Sequence, residues 1–188
     1  PTRLAADLYE RPAEVRALAR MAADAWRAFT AALWQRTPLY DGGTVTQWGL
    51  WAPGRAIALQ EDFCTLISPR QFRELFLPLD RELAREADIA WVHLHAGQVH
   101  LVDEILNASE ILGVQIVHDG VARPPLGVML AAMQRVQQRG KRLIIRKYSA
   151  SELAEILSHL SPRGLTIDTY FPSVETANAW LDAFPAAE

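Results

Sequence analysis

The sequence predicts an α/β fold of the (β/α)8 TIM-barrel type, present as a C-terminal partial barrel of about five to six strand-helix units. Three observations carry this expectation. Apolar, strand-like runs alternate with helical patterns from about residue 56 onward, which calls for βαβ crossovers and a parallel sheet. No G-x-G-x-x-G or P-loop pattern follows a strand, as a doubly wound nucleotide-binding sheet would advertise. On one side of each strand the residues turn polar toward the C-terminal end, where barrel enzymes carry their active sites. A whole barrel takes eight units and typically about 250 residues. The chain has 188 residues and starts at Pro1, so upstream strands are expected to be missing from a single domain spanning residues 1–188.

Each element has its own signal. From Pro12, a residue suited to a first helical turn, the apolar positions Val15, Leu18, Ala22, Ala25, Trp26, Phe29 and Leu33 recur at three and four, which predicts an amphipathic helix. PLYDGG breaks it, a short strand is expected at Thr44 to Trp48, and the turn residues of WAPGR lead into the strand AIALQED. Ser68, Pro69 and Gln71 read as N-cap, first turn and capping-box partner of a helix that buries Phe72, Leu75, Phe76, Leu79 and Leu83. Pro78 inside that helix should kink it. There follow strand IAWVHLH, a helix from about Val99 to Leu106, strand LGVQIVHD, a helix from Leu126 to Gln138 and a stop at Gly140. Strand RLIIRKY, helix SASELAEILSHL, strand LTIDTYF and helix SVETANAWLDAF complete the chain.

Composition narrows the partners. A net charge of −3 with dispersed Lys and Arg offers no general attraction to nucleic acid or anionic membrane. No apolar run approaches the roughly 18 residues of a membrane span. A single cysteine, Cys64, rules out an internal disulfide and any multi-cysteine zinc site built by this chain alone, and a cytoplasmic setting is expected.

Strand alternation then sorts the candidate site residues. Sending the aliphatic set outward leaves Gln60 and Asp62, Trp91, His93 and His95, Gln115, Val117 and Asp119, and Thr166, Asp168 and Tyr170 on the inner face. In RLIIRKY either Arg146 or Lys147 could face in. Glu61 falls on the opposite face from Asp62, and His118 is outward and structural. Two residues apart on a strand, His93 and His95 have Cα atoms about 6.6 Å apart. That spacing suits a shared zinc or other divalent ion completed by Asp62 or Asp119. Acid-base or substrate-binding work near neutrality by at least one of the two is favoured over the metal, and simple packing of His93 is the remaining alternative. The expected catalytic group is Asp62, His95 and His93, and the expected substrate contacts are Gln60, Gln115, Asp119, Arg146, Asp168 and Tyr170. Cys64 reads as a small buried filler, His100 and His159 as surface residues, and Trp48 and Trp51 as an aromatic wall or a lid.

The order LQEDFCTLISPRQFRELFLPLDREL, then WVHLHAG, then VQIVHDG resembles the uroporphyrinogen decarboxylase superfamily, whose branches include cobamide-dependent methyltransferases and cobalamin-independent methionine synthase. The most specific part is Asp62 at the acidic strand end, followed by I-S-P-x-x-F and the internal proline over residues 67–78, and DLYERPAEVRALARMAADAW is similar to the helix that precedes that strand. The resemblance covers residues 7–120 well and the rest loosely. It implies a (β/α)8 barrel enzyme, a lyase or methyltransferase acting on a small or tetrapyrrole-like ligand at the C-terminal mouth. In the methyltransferase branch it implies zinc and a corrinoid protein or thiol partner, and a homodimer is a further expectation. His93-Leu94-His95 carries histidine where that branch has the cysteine of H-x-C, and no later cysteine follows. The decarboxylase branch has N-terminal arginines and a C-terminal N-L-G-H-G segment; LTIDTYFPS lacks the latter. The chain thus reads as a divergent member, and the rival expectation is a ligand-binding or scaffold protein that keeps the barrel without the chemistry.

Overall fold

Parallel strands taken in chain order organise the molecule. The computed structural model describes residues 2–46, 48–60, 62–119 and 123–183. Its main sheet has strands β3 (Ala56–Gln60), β4 (Ile89–His95), β5 (Gly113–Val117), β6 (Arg142–Arg146) and β7 (Leu165–Asp168), all parallel and in that spatial order. Between them run α3 (Pro69–Leu75), α4 (Leu77–Ala84), α5 (Val102–Leu106), α6 (Leu126–Gln138) and α7 (Ala150–Leu157), and α8 (Val174–Asp182) follows β7. Parallel neighbours need such crossovers, because a tight turn can only join antiparallel strands.

The helices begin where the sequence supplies caps. Ser68 accepts from the backbone of Gln71, whose side chain reaches back to Ser68, and Ser149 and Glu152 repeat the arrangement at α7. Pro78 divides the expected single helix at Phe76 rather than merely kinking it, since it enters as an early residue of α4 where no donor is needed. The segment after β4 opens as a 3-10 turn over Ala96–Leu101 before α5.

The register lines up Leu59, Val92, Val114, Leu143 and Leu165 on one face, and that face, with Leu94, Ile116 and Ile145, joins Phe72, Leu83, Ile105, Met133 and Ile156 of the helices in one continuous core. Fully buried residues such as Ile116 and Leu143 each contribute roughly 1.5–3 kcal/mol by leaving water. The opposite face holds a separate small cluster, Ala56, Trp91 and Ile144, covered by Trp48, Leu50 and Ala52. Helices therefore cover one face and a hairpin covers part of the other.

That hairpin pairs β1 (Gly43–Val45) with β2 (Trp51–Pro53). Its first strand is shorter than the expected Thr44 to Trp48, and WAP, expected as part of a turn, is the second strand. Asp41 and Gly42, with φ of 48° and 71°, make a tight turn closed by reciprocal bonds between Tyr40 and Gly43. The N-terminal helices are α1 (Thr2–Glu10) and α2 (Pro12–Arg36). In α2 the buried line runs through Val15, Ala19, Ala23, Trp26, Thr30 and Trp34, not through Leu18 and Phe29, which are 56% and 67% exposed. The helix carries two apolar stripes, and the one that bears Trp26 and Trp34 packs on the core. Arg20 then clamps Glu82 of α4, and Arg27 reaches Glu86. Phe29 and Leu33 of the other stripe line an apolar cavity of about 530 Å3 beside edge strand β3. Among the described residues, no helix is long and apolar enough to cross a membrane.

Candidate active site

Two rows of side chains cross the inner face at the C-terminal ends of the strands. The register pairs Gln60 with His93 and His93 with Gln115, and one step further pairs His95 with Val117, Val117 with Arg146 and Arg146 with Asp168. Neighbours in register on parallel strands point to the same side, so each row is a fixed geometric consequence of strand pairing. Asp62, Asp119 and Tyr170 lie just past the ends of β3, β5 and β7.

His93 forms the lower, dry part of the site. It is only 5% exposed, its ring stacks on Trp48 at 4.6 Å, and its Nδ1 lies 2.5 Å from Oε1 of the fully buried Gln115. Burial holds the His93 imidazole below its ordinary pKa, with the Gln115 hydrogen bond opposing in part. A neutral ring that donates Nδ1–H to Gln115 leaves Nε2 as an acceptor. Gln115 is thus a positioning residue for His93 rather than part of the cavity wall.

His95 forms the upper, wetter part, two residues along. Its Nδ1 is 2.9 and 3.0 Å from the two carboxylate oxygens of Asp119, and its Nε2 is 3.0 Å from Oδ1 of Asp62. Gln60 Nε2 donates to the same Asp62 oxygen at 2.7 Å. Gln98 accepts from the His95 backbone N–H, which ties this residue to the following 3-10 turn. The His95 ring stands edge-on to His93, with centroids 4.9 Å apart. In the imidazolium form both ring N–H groups donate to carboxylates; in the neutral form only one can.

These side chains open onto a cavity of about 340 Å3 lined by Trp48, Gln60, His93, His95, Val117, Asp119, Arg146 and Lys147. Arg146 is the inward residue of its strand. Its Nε lies 2.8 Å from Asp168 Oδ2, an ion pair not aligned as a hydrogen bond, and its Nη2 donates to the Tyr170 hydroxyl at 3.3 Å. Asp168 and Tyr170 therefore stand behind Arg146 and outside the cavity wall. Lys147 also lines the cavity because its backbone is left-handed, with φ 64°, so the side chain does not alternate away as strand geometry would require. Trp48 is the aromatic wall; Trp51 instead bonds the Tyr40 carbonyl through its indole N–H. Cys64 is buried, and His118 stacks on Tyr148 with Glu152 3.5 Å from its Nδ1. The expectation for Glu61 lies outside the described residues.

The shared-metal arrangement does not fit these residues. Both nitrogens of His95 already face carboxylates and Nδ1 of His93 faces Gln115. Among the described residues no group of three or more His, Cys, Asp or Glu is placed to hold an ion. The two-residue spacing of H-x-H is present; among the described residues the convergence of lone pairs that coordination needs is not.

No protein-family model matches the chain, and no curated protein matches it.

Proposed function

We propose that this chain is a uroporphyrinogen decarboxylase-like enzyme, a carbon-carbon lyase that removes CO2 from a small carboxylated ligand at the C-terminal ends of a sheet belonging to a (β/α)8 barrel. The observation that carries the reading is His95 held between Asp119 and Asp62 at the wall of the 340 Å3 cavity. Sequential parallel order with helices on one face supports the barrel, because a doubly wound sheet would reverse its strand order and cover both faces with helices.

In this reading, the substrate carboxylate leaves as CO2 and the electron pair of the broken bond stays on a carbon that can delocalise it. His95 gives its Nε2 proton to that carbon while Nδ1–H keeps donating to Asp119. Asp62, whose side chain is largely exposed, yields its place at Nε2 to the substrate and passes the replacement proton from water. His93, neutral and held by Gln115, orients the site from below. The methyl-transfer alternative, with zinc and a corrinoid partner, has less support because the donor set does not gather.

The test is CO2 release from a set of small di- and monocarboxylic acids by the wild type and by His95→Asn. A general acid contributes about 10^2–10^4-fold, so activity should fall by at least 10^2-fold in the variant while its melting temperature holds. Ligand binding without CO2 release by the wild type would sink the lyase reading and leave the non-catalytic ligand-binding alternative.

A further inference from the structure

Lys147 stands immediately after β6 in a left-handed conformation that side-chain-bearing residues adopt reluctantly, held by a 3.0 Å bond from its N–H to the carbonyl of Asp168. Such strained positions concentrate at sites of binding and chemistry. This one carries a cation into the wall of the cavity that also holds His95 and Asp119. The other cation in that wall, Arg146, is committed to Asp168 and Tyr170. Asp119 and Asp62 are committed to His95. Among the described residues the Lys147 ammonium makes no hydrogen bond or ion pair, so it is free to meet an anion that enters the cavity.

That charge suits an anion that remains an anion. A carboxylate departing as CO2 loses its negative charge, so a cation paired with it would stabilise the ground state more than the transition state and slow the step. We propose that Lys147 anchors a second, non-reacting carboxylate and that the ligand of this cavity is a small dicarboxylic acid. The choice of the non-reacting group rests on the lyase reading above; the anion-binding role of Lys147 rests on the cavity itself.

The test is calorimetric titration with glutarate and with its monoamide, on the wild type, Lys147→Asn and Lys147→Arg. Asparagine tolerates left-handed backbone, so the first variant removes the charge while keeping the turn, and thermal unfolding checks that it does. A charge-assisted contact corresponds to a preference of about tenfold or more for glutarate over the monoamide in the wild type. The preference should vanish in Lys147→Asn and persist in Lys147→Arg. Equal glutarate affinity in wild type and a folded Lys147→Asn would overturn the proposal, as would wild type that fails to bind glutarate at about 10 mM. Inorganic phosphate bound as tightly as glutarate, with the same dependence on Lys147, would overturn the dicarboxylate assignment. Because the readout is binding, a Lys147-dependent glutarate preference without any CO2 release upholds the anchor and defeats only the lyase reading.

Discussion

Replacing Lys147 by glycine should make the protein more stable and its ligand site worse. The backbone at Lys147 has φ 64°, where a residue with a Cβ pays about 1–2 kcal/mol relative to its ordinary conformation. Glycine removes that strain but loses more chain freedom on folding, which returns about 0.5–1 kcal/mol to the unfolded state. The side chain adds little to the other side of the comparison, because Lys147 is exposed and its ammonium has no partner among the described residues, while the N–H bond to Asp168 does not involve the side chain. The net expectation for Lys147→Gly is a gain of about 0.5–1 kcal/mol, or a rise of about 1–4 °C in melting temperature for a chain of this size. Thermal unfolding followed by circular dichroism reads the stability, and the glutarate titration reads the site. Asp41→Gly is the control: its φ is 48°, it sits in the turn that leads into β1, away from the cavity wall, and it should leave ligand binding unchanged. A lower melting temperature for Lys147→Gly would refute the reasoning, since it would mean that the lysine side chain supports the fold rather than a ligand.

Two further predictions concern protons. Burial keeps His93 neutral in the folded protein and lowers its pKa, so the unfolded chain binds a proton more readily; this residue's contribution to stability is complete above about pH 6.5 and is lost as the pH falls below that. Gln115→Leu removes the bond that raises the His93 pKa, so histidine NMR should record a still lower value, with a stability loss of about 1–3 kcal/mol for the unpaired buried N–H; an unchanged titration would show that Gln115 does not hold the ring. Glu110 accepts from Arg81 at 2.9 and 3.1 Å and from Arg85 at 2.6 and 3.0 Å, and its pKa is lowered to about 2, chiefly by Arg81. Its contribution is therefore present above about pH 4.5 and disappears as the pH falls toward 2, so Glu110→Gln should be less stable than wild type in urea at pH 7 and indistinguishable from it near pH 2. A constant difference across that range would assign the effect to packing.

The faces of the strands were legible in the sequence because a parallel sheet imposes a strict two-residue period: once Leu59, Val114 and Leu165 were sent to the helices, Gln60, Gln115 and Thr166 had to point the other way. Local signals failed where the chain left that period or where packing chose between equals. Arg146 and Lys147 could not be separated because a regular strand sends them to opposite sides, whereas one left-handed residue lets both line the cavity. The two apolar stripes of α2 are equally helical, and only the surface beneath them selects the one that carries Trp26 and Trp34. The H-x-H spacing puts two rings on one face, but a metal site depends on where lone pairs converge. Asp62 and Asp119, which claim His95, reach it from beyond two other strands.

The same two-residue step also explains how one residue type does two jobs. His93 and His95 share a face and a strand, yet His93 is 5% exposed and the His95 side chain 32%. The difference is made by the hairpin, whose Trp48 stacks on His93 and whose Ala52, with Leu50 packed beside it, joins Trp91 and Ile144 in one cluster. Below that cover a charged imidazole would lose its hydration with no carboxylate in direct contact, so His93 is kept neutral and is fixed by an amide. One pleat higher, past the cover, His95 meets the carboxylates of Asp119 and Asp62 from the ends of the flanking strands, the setting that the proposed proton transfer requires. Removing the cover with Trp48→Ala should therefore act first on His93, raising its pKa toward the ordinary histidine value as read by histidine NMR, and should reach His95 only through the His93 ring that it abuts.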